Sequence, residues 1–177
     1  GLELYSYLTD KKINTGFVAT GQVGITIIGR GIPLDAYKLD HACGAVESAI
    51  IEQKDKDIII VEGQGSILHP GSSATLPLMR GACPTHMILC HIARNQTLRS
   101  VENIRIPDLK KFISLNEQLA SVVGTYPESK VVGIALNTNL MSEKSARKFI
   151  KKVEKDTGLP STDVVRFGGD KIFSQLV

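Results

Sequence analysis

The sequence predicts an α/β fold in which a parallel sheet carries helices on both faces. Short, almost wholly apolar runs recur along the chain, which is typical of strands buried on both faces of a parallel sheet. Segments with the 3.6-residue period of an amphipathic helix alternate with these runs. The 177 residues include 42% hydrophobic and 22% charged residues, ordinary values for a globular protein with a buried core.

Five strands and the helices between them can be placed in order. The chain opens on a helical face of Leu2, Leu4, Tyr5 and Leu8. The apolar runs predict strands near residues 15–19, 57–62, 86–90, 130–136 and 163–166. Helical periods cover residues 41–53, 108–123 and 142–156, and a last helix begins at about residue 170. Strands that alternate with helices imply crossover connections, and we expect a single α/β domain over residues 1–177.

The composition and charge of the sequence argue against nucleic acid and membranes as binding partners. The net charge is +3, from 21 basic and 18 acidic residues, which gives no electrostatic reason to bind nucleic acid. The longest apolar runs, such as residues 58–61, are far too short to span a membrane. The three cysteines form no CxxC pair, so we interpret Cys43, Cys83 and Cys90 as small buried residues in a reducing cytoplasm. We expect a small-molecule substrate, a cytoplasmic location and a homo-oligomer.

Glycine-rich polar loops follow the first four predicted strands, and parallel sheets bind ligands at the carboxyl ends of their strands. Glu62 ends the second strand, where a carboxylate can hold Mg²⁺ or cap a turn. His69 follows in the same loop and is either a general base, a substrate donor or an exposed loop histidine.

The later loops carry weaker signals. Asn137 ends the fourth strand, and its amide either matches the edge of an adenine ring or bonds its own turn. Arg94, Arg99 and Arg105 are close together in sequence. They either bind carboxylate or phosphate groups of a ligand or are exposed loop arginines without a ligand. No GxxxxGK[ST] phosphate loop occurs in the sequence. The residues alone therefore indicate a ligand-binding α/β domain.

Several sequence strings occur in the same order in a known family. They include ATGQVGI (19–25), GIPLDA (31–36), VEGQGSILHPG (61–71), VVGIALNT (131–138) and TGLPSTDVVRFG (157–168). By these strings, nearly the whole chain resembles the carboxyl-terminal P-loop domain of the D-glutamate N-acetyltransferase-like proteins, whose fold is similar to dethiobiotin synthetase. Val23 stands where the family usually has threonine, and Arg94 is one residue closer to His91 than usual.

The resemblance implies that the first strand and the phosphate loop are missing from the chain. In this family an amino-terminal Rossmann-like domain, that strand and that loop precede the helix in which this sequence begins. We therefore expect them upstream of Gly1 in the same protein, and we expect residues 1–177 alone to bind nucleotide poorly.

The resemblance also implies the roles of individual residues. It assigns catalysis to Glu62 and His69, Mg²⁺ binding to Glu62, nucleotide binding to Thr20, Gly21, Gln22, Asn137, Thr138 and Pro160, and substrate binding to Gln64, Ser66, His91 and Arg94. The implied reaction is N-acetylation of an acidic amino acid such as D-glutamate by acetyl-CoA. The alternatives are an ATP- and Mg²⁺-dependent ligase or kinase and a non-catalytic nucleotide-binding domain. We expect Gln22, Glu62, His69, His91 and Asn137 around one cleft.

Overall fold

A computed structural model describes residues 1–93, 96–98 and 101–177 and confirms the α/β class. The chain divides into two compact units, Gly1–Cys83 and Pro84–Val177. The assignment of residues 1–177 to a single domain stays a prediction, because one domain can comprise two such units. Within the described ranges, the helices lack the length and apolar content needed to cross a bilayer.

The first unit contains a parallel pair of strands with helices around it. Its elements are α1 (Leu2–Asp10), β1 (Thr15–Val18), α2 (Gln22–Ile28), a 3₁₀ turn (Leu34–Ala36), α3 (Leu39–Ile51), β2 (Ile58–Val61) and α4 (Thr75–Ala82). In the ladder between β1 and β2, Thr15 lies opposite Ile58 and Val18 opposite Val61. The carboxyl ends of the two strands therefore lie side by side, so the loops that follow them begin as neighbours.

The loop between β2 and α4 is fixed at both ends by the sheet and by the packing of α4 in the core of this unit. Val46 of α3 and Leu78 of α4 belong to one buried cluster, which also contains Val18 of β1. The two helices approach so closely at Gly81 that a Cβ there would overlap the carbonyl oxygen of Cys43. The start of the loop is thus fixed by the sheet and its end by the packing of α4.

The second unit is built on a three-stranded parallel sheet. Its elements are β3 (His86–Ile92), β4 (Thr97–Leu98), β5 (Val101–Arg105), α5 (Leu109–Ser121), β6 (Lys130–Asn137), α6 (Glu143–Thr157), β7 (Ser161–Thr162), α7 (Val164–Phe167) and α8 (Asp170–Phe173). The strand order is β3-β6-β7, and both pairings are parallel. β4 and β5 form a separate antiparallel pair. The parallel strands at 86–90 and 130–136 are confirmed.

Two sequence-based expectations are wrong. The strand expected at 163–166 is helix α7, and the neighbouring strand is instead Ser161–Thr162. The cause is Asp163, whose Oδ1 accepts the N–H of Arg166 at 3.1 Å and caps a helical turn there. The cysteines are not all buried either: Cys83 and Cys90 are exposed and Cys43 is half-buried.

Candidate functional site

Glu62 ties the end of β1 to the end of β2. Its N–H donates to the carbonyl of Val18 at 2.9 Å and extends the strand ladder by one step. Its carboxylate Oε2 accepts the N–H groups of Thr20 and Gly21, both at 2.9 Å. The hydroxyl of Thr20, a residue only 1% exposed, donates to the carbonyl of Glu62 at 2.8 Å. Glu62 therefore fixes the turn that leads into α2.

The carboxylate of Glu62 lies against the first turn of α2. Gly21 is the N-cap of that helix, and a Cβ at Gly24 would overlap Oε2 of Glu62. A negative charge is stabilised beside the unpaired N–H groups of a helix N-terminus. Of the alternatives left open by the sequence, the capping interaction is present in the structure.

Glu62 retains one oxygen that could serve a metal ion. Its Oε1 accepts no hydrogen bond from the residues that the structure describes. Those residues contain no group of three or more His, Cys, Asp or Glu side chains suited to a metal ion. Mg²⁺ commonly keeps several waters and takes one or two carboxylates together with phosphates. Glu62 therefore fits as a single-oxygen or water-mediated ligand.

The loop between β2 and α4 is held by its own polar groups. Thr75 donates its hydroxyl proton to the carbonyl of Gln64 at 3.2 Å, so in the 3.1 Å pair with Ser72 the proton comes from Ser72. The Oγ of Ser72 accepts the N–H of Ser66 at 3.1 Å. Gly65 has φ +72°, and a Cβ there would overlap Oγ of Ser72. The left-handed conformation at Gly65 brings the backbone close to Ser72.

His69 is oriented by the loop itself. The ring atom Nδ1 accepts the backbone N–H of Gly71 at 3.1 Å. The backbone N–H of His69 donates to the carbonyl of Ser66 at 3.0 Å. A neutral imidazole that accepts through Nδ1 carries its proton on Nε2. Nε2 donates to no residue in the described part of the chain. In this tautomer His69 presents a free N–H donor, and proton abstraction by Nε2 would first require the loss of the Gly71 contact.

A pocket of about 370 Å³ lies beside this loop within the first unit. Its volume is in the range of small-molecule sites. Three predicted residues, Gln64, Ser66 and His69, line it, together with Asp35, Gly65, Gly71, Ser72, Ser73 and Ala74. Oε1 of Gln64 is buried with no hydrogen-bond partner among the described residues. The structure thus brings three of the proposed substrate and catalytic residues to one pocket.

Three residues of the first unit are assigned to nucleotide binding: Thr20, Gly21 and Gln22. Among these three, Gln22 alone has an exposed side chain. Gln22 begins α2 and forms no side-chain hydrogen bond with the residues described. The N–H and the hydroxyl of Thr20 are already engaged by Glu62. Thr20 and Gly21 thus support the turn on which Gln22 is presented.

In the second unit, the loop after β6 is organised by Asp163. Its Oδ2 accepts the N–H of Thr138 at 2.8 Å and the Thr138 hydroxyl at 2.6 Å. Burial acts to raise the pKa of Asp163, but the hydrogen bonds from Thr138 and Arg166 outweigh it and hold the pKa below its ordinary value. Arg166 also donates to the carbonyls of Thr138 and Met141 at 2.8 and 3.0 Å. Asp163 and Arg166 were not predicted, because they act through contacts distant in sequence.

The predicted adenine-contacting residues differ in what they can offer a ligand. Thr138 is 1% exposed and commits its donors to Asp163, so it supports the loop. Asn137 is exposed, but its Oδ1 accepts the N–H of Asn139 at 3.1 Å, the turn contact considered as its alternative. Its amide NH₂ has no described partner. Pro160 is half-buried, and its carbonyl accepts the N–H of Ile134 at 2.9 Å.

His91 lies on β3 and lines a different pocket, of about 680 Å³, within the second unit. Desolvation by burial lowers the pKa of His91 below its ordinary value, so the ring favours the neutral form. Arg105 lines the same pocket, whereas Arg94 and Arg99 lie outside the described residues. The cleft expected to unite Gln22, Glu62, His69, His91 and Asn137 involves both units and stays a prediction.

Comparison with known proteins places these features in a family. Residues 1–173 match the family described as "Domain of unknown function (DUF1611_C) P-loop domain". A protein named D-glutamate N-acetyltransferase from a Pseudoalteromonas species is 32% identical over 176 residues, which are 99% of this chain and 52% of that protein. One of the same name from Tritonibacter scottomollicae is 34% identical over 167 residues, 94% of this chain and 50% of that protein.

A solved structure extends the similarity to the fold. A crystal structure of a DUF1611 family protein from Anabaena variabilis has a TM-score of 0.95 and 44% identity, and the match covers 98% of this chain and 51% of that one. The chain spans about half the length of the curated relatives that it matches. The resemblance inferred from the sequence strings is confirmed, and the chain belongs to the DUF1611 P-loop domain family.

Proposed function

We propose that this chain is part of an acyl-transfer enzyme that N-acetylates an acidic amino acid such as D-glutamate. The observation that carries the proposal is the match of 99% and 94% of the chain to two relatives named D-glutamate N-acetyltransferase. The pocket beside the loop after β2 supports it with groups suited to a small polar substrate.

Acylation of an amine by a thioester requires only a few groups from the protein. When an amine is acylated by a thioester, a bond forms between the amine nitrogen and the carbonyl carbon, and the carbon–sulfur bond breaks. The amine loses one proton, and the departing thiolate gains one. Acetyl-CoA, when bound, would supply the acetyl group. The chain must then hold the amine, provide donors at the carbonyl oxygen and give the proton a path.

Donors are available in the loop. The N–H groups of Gly63, Gln64 and Gly65 donate to no residue that the structure describes. Successive backbone N–H groups bind negative charge where a turn directs them toward one point, and Gly65 has the left-handed conformation typical of such turns. His69 adds its Nε2–H on the same loop. These groups suit either a substrate carboxylate or the oxygen of a carbonyl under attack, and this favours His69 as a donor over His69 as a base.

A second candidate is transfer of a phosphoryl group from ATP with Mg²⁺, as in ligases of the dethiobiotin synthetase type. The observations that favour it are the match to a P-loop domain and the free Oε1 of Glu62 at the end of β2. Such a reaction depends on positioning and on charge neutralisation by Mg²⁺. Such a reaction also requires a loop whose backbone N–H groups hold the phosphates.

The test offers D-glutamate with acetyl-CoA, or with ATP and Mg²⁺, to the full-length protein. Acyl transfer predicts release of CoA thiol, whereas phosphoryl transfer predicts ADP and a non-catalytic domain predicts neither. Replacing His69 by Ala should lower kcat/KM by about 10²–10³-fold, as for loss of one transition-state donor. His41→Ala is the matched control, because His41 is an exposed residue of α3 outside the pocket lining. Equal rates for the two variants would exclude His69 from the reaction.

A further inference from the structure

The pocket beside the loop after β2 contains a carboxylate that has no described partner. We propose that Asp35 binds the ammonium group of the substrate and makes the site selective for amines. The inference rests on the proposed function, because it assigns the group that would hold the amine before its acylation. It concerns a residue more than 25 positions before the loop that supplies the rest of the pocket.

The position of Asp35 is fixed although its side chain is exposed. It lies in the 3₁₀ turn Leu34–Ala36, in which Leu34 is only 4% exposed; Ile32, just before the turn, is only 7% exposed. The N–H of Ile32 donates to the carbonyl of Ala19 at 2.8 Å and anchors the segment beside the end of β1. Because the backbone of the turn is anchored, a ligand that binds Asp35 has to order only its side chain.

The charge of Asp35 is not neutralised by the protein. Asp35 forms no ion pair or hydrogen bond with the residues described, and the described lining contains neither lysine nor arginine. A ligand that enters this pocket therefore meets one negative charge with no counter-ion from the protein. An opposite charge on the ligand is the simplest complement.

Gln64 is a further residue of the same lining. Its Oε1 is buried without a hydrogen-bond donor, so a ligand reaches this acceptor only if the side chain turns toward the pocket. An ammonium group has three N–H donors, which the two oxygens of the Asp35 carboxylate can accept. The Nε2–H of His69 and the free N–H groups of the loop are left for a carboxylate. The pocket thus complements an amino acid, whereas a hydroxy acid of the same shape offers Asp35 only a neutral hydroxyl donor and no positive charge.

The test compares D-glutamate with D-2-hydroxyglutarate, in which a hydroxyl group replaces the ammonium group. Calorimetry measures the Kd of each ligand for the wild-type protein, Asp35→Asn and Asp35→Glu. Asp40→Asn is the matched control, because Asp40 is an exposed aspartate of α3 that does not line the pocket. Circular dichroism of each variant verifies the fold.

The wild-type protein and Asp40→Asn should bind D-glutamate about 10–100-fold more tightly than the hydroxy acid, as expected for a charge-assisted contact. In Asp35→Asn this preference should vanish through weaker binding of D-glutamate alone, and Asp35→Glu should retain part of it. An unchanged preference in Asp35→Asn, or no preference in the wild-type protein, would overturn the proposal.

The test of Asp35 can succeed or fail independently of the proposed acyl-transfer function. If CoA is not released but amine selectivity depends on Asp35, the acyl-transfer proposal fails and the role of Asp35 stands. If CoA is released and Asp35→Asn retains the wild-type KM for D-glutamate, the function stands and the role of Asp35 fails.

Discussion

Replacing Gly24 by alanine should destabilise the protein, although alanine is the better helix former. Gly24 is a buried residue of α2, and the added Cβ would overlap Oε2 of Glu62. The carboxylate must then move, and it loses its contacts with the N–H groups of Thr20 and Gly21. Both N–H groups would be left without that acceptor at the start of α2.

The magnitude follows from these contacts. Hydrogen bonds to a charged group contribute about 1.5–3 kcal/mol each, so the loss of two costs about 3–6 kcal/mol. Alanine in place of glycine returns up to about 1 kcal/mol of helix propensity. We therefore expect Gly24→Ala to lower the free energy of unfolding by about 2–5 kcal/mol. Glu62→Gln should lower it less, because an amide oxygen can still accept both N–H groups.

The decisive comparison is the same change in a Glu62→Ala background. With no carboxylate to displace, Gly24→Ala should raise the free energy of unfolding by up to about 1 kcal/mol, so the sign of its effect reverses. Urea unfolding followed by far-ultraviolet circular dichroism measures all four proteins, since the chain has no tryptophan. An effect of Gly24→Ala with the same sign and size in both backgrounds would refute the reasoning.

Three further predictions concern the loop after β2 and two titrating groups. Gly65→Ala should destabilise the loop by about 1–2 kcal/mol, because Gly65 has φ +72°, and should weaken D-glutamate binding; calorimetry and thermal unfolding measure these effects. The lowered pKa of Asp163 means that its contribution to stability is complete well above the unfolded value of about 3.9 and is lost as the pH falls through the folded pKa. Asp163→Asn should therefore lose less stability than the wild type between about pH 5 and pH 3 in urea titrations, and equal losses would contradict this. The lowered pKa of His91 means that the folded state binds fewer protons than the unfolded state below about pH 6.5, so stability should fall as the pH decreases from there. His91→Gln should flatten this part of the pH profile.

Much of the fold could be predicted because its strands carry their own signal. The runs at 58–61 and 130–136 are continuously apolar, and parallel ladders form at both. Helix α2 was missed because QVGITII is rich in β-branched residues, which favour strands. Its helical start depends on the carboxylate of Glu62, about 40 residues away. The strand expected at Val164 and Val165 is instead a helical turn, because the side chain of the neighbouring Asp163 caps it and overrides their β propensity.

The site was predictable only where one loop supplies several groups. Gln64, Ser66 and His69 follow a strand end within eight residues, so their proximity can be read along the sequence. The sequence could not separate capping from metal binding at Glu62, because the answer depends on N–H groups of Thr20 and Gly21. Asp35 belongs to the string GIPLDA, but nothing in that string predicts its pocket, since only the tertiary fold brings its turn there.

The most direct test of acyl transfer is to follow the acetyl group. The protein is incubated with D-glutamate and acetyl-CoA labelled isotopically in the acetyl group, and nuclear magnetic resonance identifies the labelled product. We expect labelled N-acetyl-D-glutamate and free CoA in equal amounts, with a rate that falls in His69→Ala. Label that stays on CoA, together with ADP formation when ATP and Mg²⁺ are supplied instead, would contradict acyl transfer and favour phosphoryl transfer.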